Sequence, residues 1–208
     1  MQKNLLKMKK FNLNKVKKFY NKKFTSFGNS LKTIGWSNRN DQYLRFEKLI
    51  YNYNLNNKTI LDVGCGFGDF YKFLILKRKT KFKYIGLDIS DKIIMEAKNK
   101  IKRPNVTFIN SDLLNFKHNK IDYVISSGAL TYNFRNSDEY AKKIIKKMYE
   151  ISNISCSINF MSTYCDYKLK KNKHYNPEKI FKFSKSISRK VNLIHDYDLF
   201  EFTIQIFK

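Results

Sequence analysis

The sequence predicts an α/β protein, with a seven-stranded, mostly parallel sheet, helices on both faces, and an antiparallel hairpin at the C-terminal end. Three observations point there. After Asn57, short β-rich runs alternate with helical ones, and parallel strands need crossover helices between them. A turn with glycines at 64, 66 and 68 joins the first of these strands directly to the first helix. The last stretch, KVNLIHDYDLFEFTIQIFK, holds two β-rich runs with only a tight turn near Tyr197 and Asp198 between them.

The chain opens with a basic segment, ten Lys and one Arg in residues 1–40 with no acid. From Leu5 to Tyr20 the spacing is helical. Leu5, Leu6, Leu13, Val16, Phe19 and Tyr20 share one face, and Lys7, Lys10, Lys15, Lys17 and Lys18 lie opposite. We read residues 1–57 as a helical cap or lid of the same domain, its apolar stripe turned to the core; a membrane-surface or RNA contact is the other use of such a helix. DQYLRFEKLIYNYNL, from Asp41, predicts a second helix with Asp41 available as N-cap and Leu44, Leu49 and Tyr53 or its neighbours turned inward.

The core then runs from 58 to 208. Strands are predicted at Thr59 to Val63, Tyr84 to Asp88, Val106 to Ile109, Tyr123 to Ser126 and Ile154 to Thr163. Helices are predicted at Phe70 to Lys77, Lys92 to Ile101, Glu139 to Ile151 and Glu178 to Ser186. At 208 residues one buried core is the natural outcome.

The net charge is +25, from 42 basic and 17 acidic residues. A nucleic-acid surface would give such a balance, yet only six of the basic residues are Arg, the better partner for phosphate and guanine. Abundant Lys, Asn, Ile, Phe and Tyr match adenine- and thymine-rich codons, so drift accounts for the charge without a polyanionic partner. Cys65, Cys156 and Cys165 show no metal-ligand or disulfide pattern, and no metal is expected. No apolar run is long enough to span a bilayer and no secretory signal is visible, so a cytoplasmic protein is expected.

The chemistry sits in ILDVGCGFGDF, residues 60–70. A glycine turn between strand and helix lets a ligand approach the backbone, and Asp88, ending the next strand, can accept from both hydroxyls of a ribose. The third glycine comes one position earlier than in a dinucleotide fingerprint, and there is no phosphate-loop lysine. DVGCGFG, the strand end LDIS and the pair Ser111 and Asp112 resemble the successive motifs of class I S-adenosylmethionine-dependent methyltransferases, small bacterial type, over Asn57 to Lys208.

That resemblance implies a Rossmann-like fold and S-adenosylmethionine as methyl donor, with S-adenosylhomocysteine as product. It implies that Asp62 and the turn of Gly64, Cys65, Gly66 and Gly68 hold the methionine and ribose portions, and that Asp88, with Ile89 beside it, takes the ribose hydroxyls. Asp112 would meet the adenine amino group and Leu113 would offer it a backbone amide. Ser127 and Gly128, in SSGALTY, would face the sulfonium, and Arg45, in WSNRNDQYLRFE, would pair with the methionine carboxylate.

Residues just after each strand line the crevice of such a sheet. Those are Tyr132, Tyr164, Asp166, His195, Asp196 and Tyr197, with His174 and Tyr175 in the loop before the last helix. His195 beside Asp196 is the preferred general base, His174 the second, and Tyr132 a further catalytic candidate; His118 lies in a polar turn. No Asn/Asp-Pro-Pro-Tyr pattern follows the fourth strand, which argues against base methylation. We therefore expect methyl transfer to an oxygen or nitrogen of a small molecule or biosynthetic intermediate. The alternatives are a tRNA or rRNA methyltransferase gripping RNA through the basic N-terminal segment, and a non-catalytic subunit that binds S-adenosylmethionine.

Overall fold

The computed structural model describes residues 11, 13–78, 80–118 and 121–208. Strands β1 (Lys58–Val63), β2 (Phe82–Asp88), β3 (Val106–Asn110), β4 (Ile121–Ser126) and β5 (Ser152–Ser162) run parallel. β8 (Glu201–Phe207) pairs antiparallel with β5, and β7 (Val191–Ile194) antiparallel with β8. The order β3-β2-β1-β4-β5-β8-β7 reverses direction between β1 and β4, which is where a doubly wound sheet opens a crevice at its carboxyl edge.

Helices α4 (Asp69–Arg78) and α5 (Asp91–Lys100) cover one face, and α6 (Ser137–Ile151) and α7 (Pro177–Lys185) the other. In β1, Ile60 packs among the first set and Leu61 among the second, both fully buried, as a central parallel strand requires. Ser90 caps α5 by accepting from the Ile93 amide at 3.2 Å, so α5 starts directly from the strand end that carries Asp88.

Three expectations need correction. The helix from Asp41 is α3 (Arg39–Leu49), and its N-cap is Asn38, which accepts from the Asp41 amide at 2.9 Å. It buries Gln42, Arg45, Phe46 and Leu49, while Leu44 is half-buried and Tyr53 lies past the helix, stacked on Tyr123 with ring centroids 4.5 Å apart. The hairpin turn is a loop of residues 195–200, folded so that the Tyr197 hydroxyl meets Thr203 Oγ1 at 3.1 Å. An additional two-residue strand, β6 (His174–Tyr175), pairs parallel with the end of β5.

The N-terminal helix α1 (Leu13–Phe27) continues past Tyr20; Leu5, Leu6, Lys7 and Lys10 lie outside the described residues. It is fastened to α5 by polar contacts: Lys17 to Asp91 at 3.3 Å, Asn21 to Asp91 at 2.9 Å and Ser90 to Asn21 at 2.6 Å. A short α2 (Leu31–Ile34), ended by Gly35, turns the chain into α3. Among the described residues no helix is long and apolar enough to cross a membrane.

Candidate active site

The glycine turn is tight because its neighbours are close. At Gly64 φ is +77°, and a Cβ there would stand 2.6 Å from the Ala129 Cβ in the loop after β4. At Gly68 φ is +73°, and a Cβ would meet Ile101 Cδ1 at 2.7 Å. Any side chain at either position would be both strained and obstructed. Cys65 is buried and carries no cross-link, its thiol pushed up first by burial. The Leu87 carbonyl of β2 accepts from the Gly64 and Cys65 amides at 2.7 and 3.0 Å, fixing the turn to the neighbouring strand.

Two carboxylates flank the turn. Asp62 is buried, and its Oδ2 accepts from the Tyr84 hydroxyl at 2.6 Å, whereas its Oδ1 has no partner among the described residues. Burial pushes this carboxyl up to about 7, with Tyr84 opposing and Asp88 and Asp69 adding to the rise. Asp88 Oδ2 accepts from the Gly66 amide at 3.1 Å and Oδ1 from Ser90 at 2.9 Å. Burial raises Asp88 too, against those backbone hydrogen bonds.

These groups open onto a cavity of about 440 Å³ at the carboxyl edge of the sheet, within the size range of small-molecule sites. Asp62, Gly64, Cys65, Gly66, Asp88, Ile89, Asp112, Leu113, Ser127, Gly128, Arg45 and Tyr132 all line it. Gly68 does not; it packs beneath, against Ile101 and Phe108. Asp112 first closes a turn, accepting from the Leu114 and Asn115 amides at 2.9 and 3.1 Å. Ser127 Oγ is buried without a partner among the described residues.

Arg45 is committed more deeply than its sequence suggested. Its Nε donates to Glu201 at 2.6 Å and its Nη2 to the other oxygen of the same carboxylate, while the Trp36 ring lies 4.0 Å from its guanidinium carbon. Asn159 on β5 donates to Glu201 at 2.9 Å and accepts from the Gly128 amide at 2.8 Å. A buried chain of hydrogen bonds thus runs from α3 through β8 and β5 to the loop after β4. Arg45 Nη1 sits over Gly128, where a Cβ would be only 2.7 Å away.

The histidines lie elsewhere. His195 is exposed, between the rings of Tyr164 and Phe202, each 5.9 Å away. Its neighbour Asp196 pairs with Lys48 at 2.8 Å. His174 is half-buried in β6 and held low by burial and then Lys168. Neither lines the cavity, nor does Tyr164, whose hydroxyl donates to Glu178. Tyr20, by contrast, reaches the cavity from α1, its hydroxyl pushed up to about 12 first by burial and then by Asp88, with Tyr132 adding a smaller rise and Arg45 opposing. Sequence reading missed Tyr20, Trp36, Asn159 and Glu201 as lining or network residues. The last two gave no clear signal, because each shares its strand with other polar residues, Ser155 and Ser157 in β5 and Thr203 and Gln205 in β8.

The methyltransferase-domain family matches residues 54–197, and the chain belongs to it, as a class I S-adenosylmethionine-dependent methyltransferase. A Mycobacterium tuberculosis protein named as a methyltransferase is 28% identical over 158 residues, 72% of this chain and 93% of its own length. A ribosomal RNA small subunit methyltransferase A of Mesomycoplasma hyopneumoniae is 32% identical over 115 residues, 51% of this chain and 43% of that protein. In fold the chain is similar to magnesium protoporphyrin IX methyltransferase of Synechocystis PCC 6803, crystallised with bound S-adenosylhomocysteine. The TM-score is 0.71 at 16% identity, covering 94% of this chain and 98% of that one.

Proposed function

We propose that the protein holds S-adenosylmethionine in this cavity and directs its methyl group to an oxygen or nitrogen of a small-molecule acceptor. Two buried atoms without partners carry the proposal, Asp62 Oδ1 and Ser127 Oγ, both in residues on the cavity wall beside the glycine turn. An unpaired buried polar atom costs about 1–3 kcal/mol, so a wall with two of them is complementary to a polar ligand.

S-adenosylmethionine, when bound, supplies a methyl carbon made electrophilic by its sulfonium sulfur. Asp62 meets the ammonium of the methionine portion with its spare oxygen, and the backbone of Gly64 to Gly66 lies against the ribose. Asp88 accepts the ribose hydroxyls with the lone pairs that Gly66 and Ser90 leave over. Glu201 occupies two of the five N–H donors of Arg45, on Nε and Nη2, so the two on Nη1 and the second on Nη2 are left for the methionine carboxylate. Asn159, by holding the Gly128 amide, fixes the backbone past which the acceptor approaches.

Displacement at a sulfonium needs alignment and exclusion of water more than it needs proton transfer. One face of α1, with Leu13, Val16, Phe19 and Tyr20, closes the cavity as a lid and supplies the exclusion. No histidine among the described residues lines the cavity. An acceptor that is already ionised, as a carboxylate or acidic phenol is, or that is a neutral amine, needs no histidine there. Tyr20, protonated throughout the working pH range, orients it as a hydrogen-bond donor.

A second proposal, RNA methylation, draws on the Mesomycoplasma relative and the basic face of α1. Incubation with methyl-labelled S-adenosylmethionine beside a small-molecule extract and an RNA fraction separates the two. Label in the extract is expected; label in RNA alone would overturn the small-molecule acceptor.

A further inference from the structure

The cavity continues beyond the loop after β4, and there its wall changes character. Lys23 of α1 and Lys171 both line it. Lys171 is bolted to the wall that follows Gly128: the Asn133 amide donates to the Lys171 carbonyl at 2.9 Å, and the Lys173 amide to the Thr131 carbonyl at 2.8 Å. The pair therefore stands past the residues assigned to the sulfonium, on the acceptor side.

Neither lysine takes part in any ion pair of the described residues. Six acids share the wall, Asp41, Asp62, Asp69, Asp88, Asp112 and Glu201, and among the described residues none pairs with Lys23 or Lys171: Asp69 pairs with Arg39 and Lys72, Glu201 with Arg45, and Asp62 and Asp88 lie at the glycine turn. The Phe19 ring lies 5.7 Å from the Lys23 ammonium. Burial and then the charge of Lys171 hold Lys23 below the ordinary lysine range, so each ammonium lies within the other's field. Two like charges on one stretch of wall, neither paired with an acid among the described residues, suit an anion that lies between them.

The surface beside them is apolar and open. Tyr167, Leu169 and Phe200 line the same cavity while remaining 64%, 46% and 41% exposed, with Tyr167 and Phe200 edge to face at 5.9 Å. A wholly polar acceptor such as a free sugar would leave this apolar surface uncovered.

We propose that Lys23 and Lys171 bind a carboxylate of the methyl acceptor, and that the acceptor is an apolar acid whose body lies on Tyr132, Leu169 and Phe200. The inference rests on the small-molecule assignment above.

Calorimetry on the full chain, with S-adenosylhomocysteine present, would compare 2-naphthoate with its neutral isostere 2-naphthamide. The acid should bind about tenfold more tightly, the effect of one charge-assisted hydrogen bond at a site where Lys23 is half-buried and Lys171 exposed. In the Lys23→Gln, Lys171→Gln double variant the preference should vanish while affinity for S-adenosylhomocysteine stays. Equal binding of acid and amide by the native chain, an undiminished preference in the double variant, or no binding of either probe would overturn the carboxylate clamp alone. Failure of the native chain to bind S-adenosylhomocysteine would instead remove the cofactor assignment beneath it.

Discussion

Asp62 stands where a carboxylate is hardest to keep charged, and its position sets stability against binding. Its carboxyl is raised from 3.8 to about 7. The folded protein thus keeps a proton there that the unfolded chain has already released, and the fold loses stability as pH rises from about 4 to about 7. Asp62→Asn removes that burden. Thermal melts should show the variant gaining on the native protein between pH 5 and pH 8, while calorimetry shows at least a tenfold loss of S-adenosylhomocysteine affinity. A difference in melting temperature that does not change with pH would count against the buried charge. The spacing of Asp62, Gly64 and Asp88 already disclosed this cradle, because adjacent strands bring those positions to one edge. That one oxygen of Asp62 is satisfied by Tyr84 and the other left bare depends on a packing contact between strands, which spacing cannot convey.

The elements above the sheet edge are held by two kinds of fastening. α3 is fixed by the buried pair Arg45 and Glu201, whose side chains are 8% and 9% exposed. Glu201→Gln leaves a guanidinium buried without its counter-charge, and a loss of about 3–5 kcal/mol is expected in denaturant unfolding. Adding Arg45→Met should recover part of it. α1 is fastened differently, through exposed polar contacts to Asp91 that contribute little to global stability. Asp91→Ala should leave the melting temperature nearly unchanged yet speed hydrogen exchange in residues 13–27; unchanged exchange would show that α1 is held by its apolar face instead. Alternation of strand and helix was legible because β-branched runs and amphipathic runs differ in period. β6 was not, since two residues have no period, and the six-residue hairpin loop hid behind a short polar stretch. His195 was read at a strand end as facing the crevice, but β7 is the outer strand and that loop turns it to solvent.

At the scale of the whole molecule, the charge of +25 has two faces. Lys15, Lys18 and Lys22 are exposed on α1, while Lys23 and Lys171 border the cavity. The exposed set should bind RNA without regard to sequence and lose affinity steeply with salt. Lys15→Glu, Lys18→Glu, Lys22→Glu together should abolish that retention with no change in S-adenosylhomocysteine affinity; a concurrent drop would tie α1's outer face to the site. Composition showed the excess of lysine but not its partition, because which lysines turn inward depends on how α1 is set down on the core. The Arg45 to Glu201 link, 156 residues apart, was invisible for the same reason.

Trp36 is the single tryptophan of the chain, and it lies in the cavity wall against the Arg45 guanidinium. Every photon emitted on selective indole excitation at 295 nm therefore originates within a few ångströms of the binding chamber. Titrating S-adenosylhomocysteine should change the intensity or wavelength of that emission with a single-site saturation curve, and a flat trace would place the ligand away from Trp36. The protein carries its own optical gauge of occupancy, readable before any acceptor has been identified.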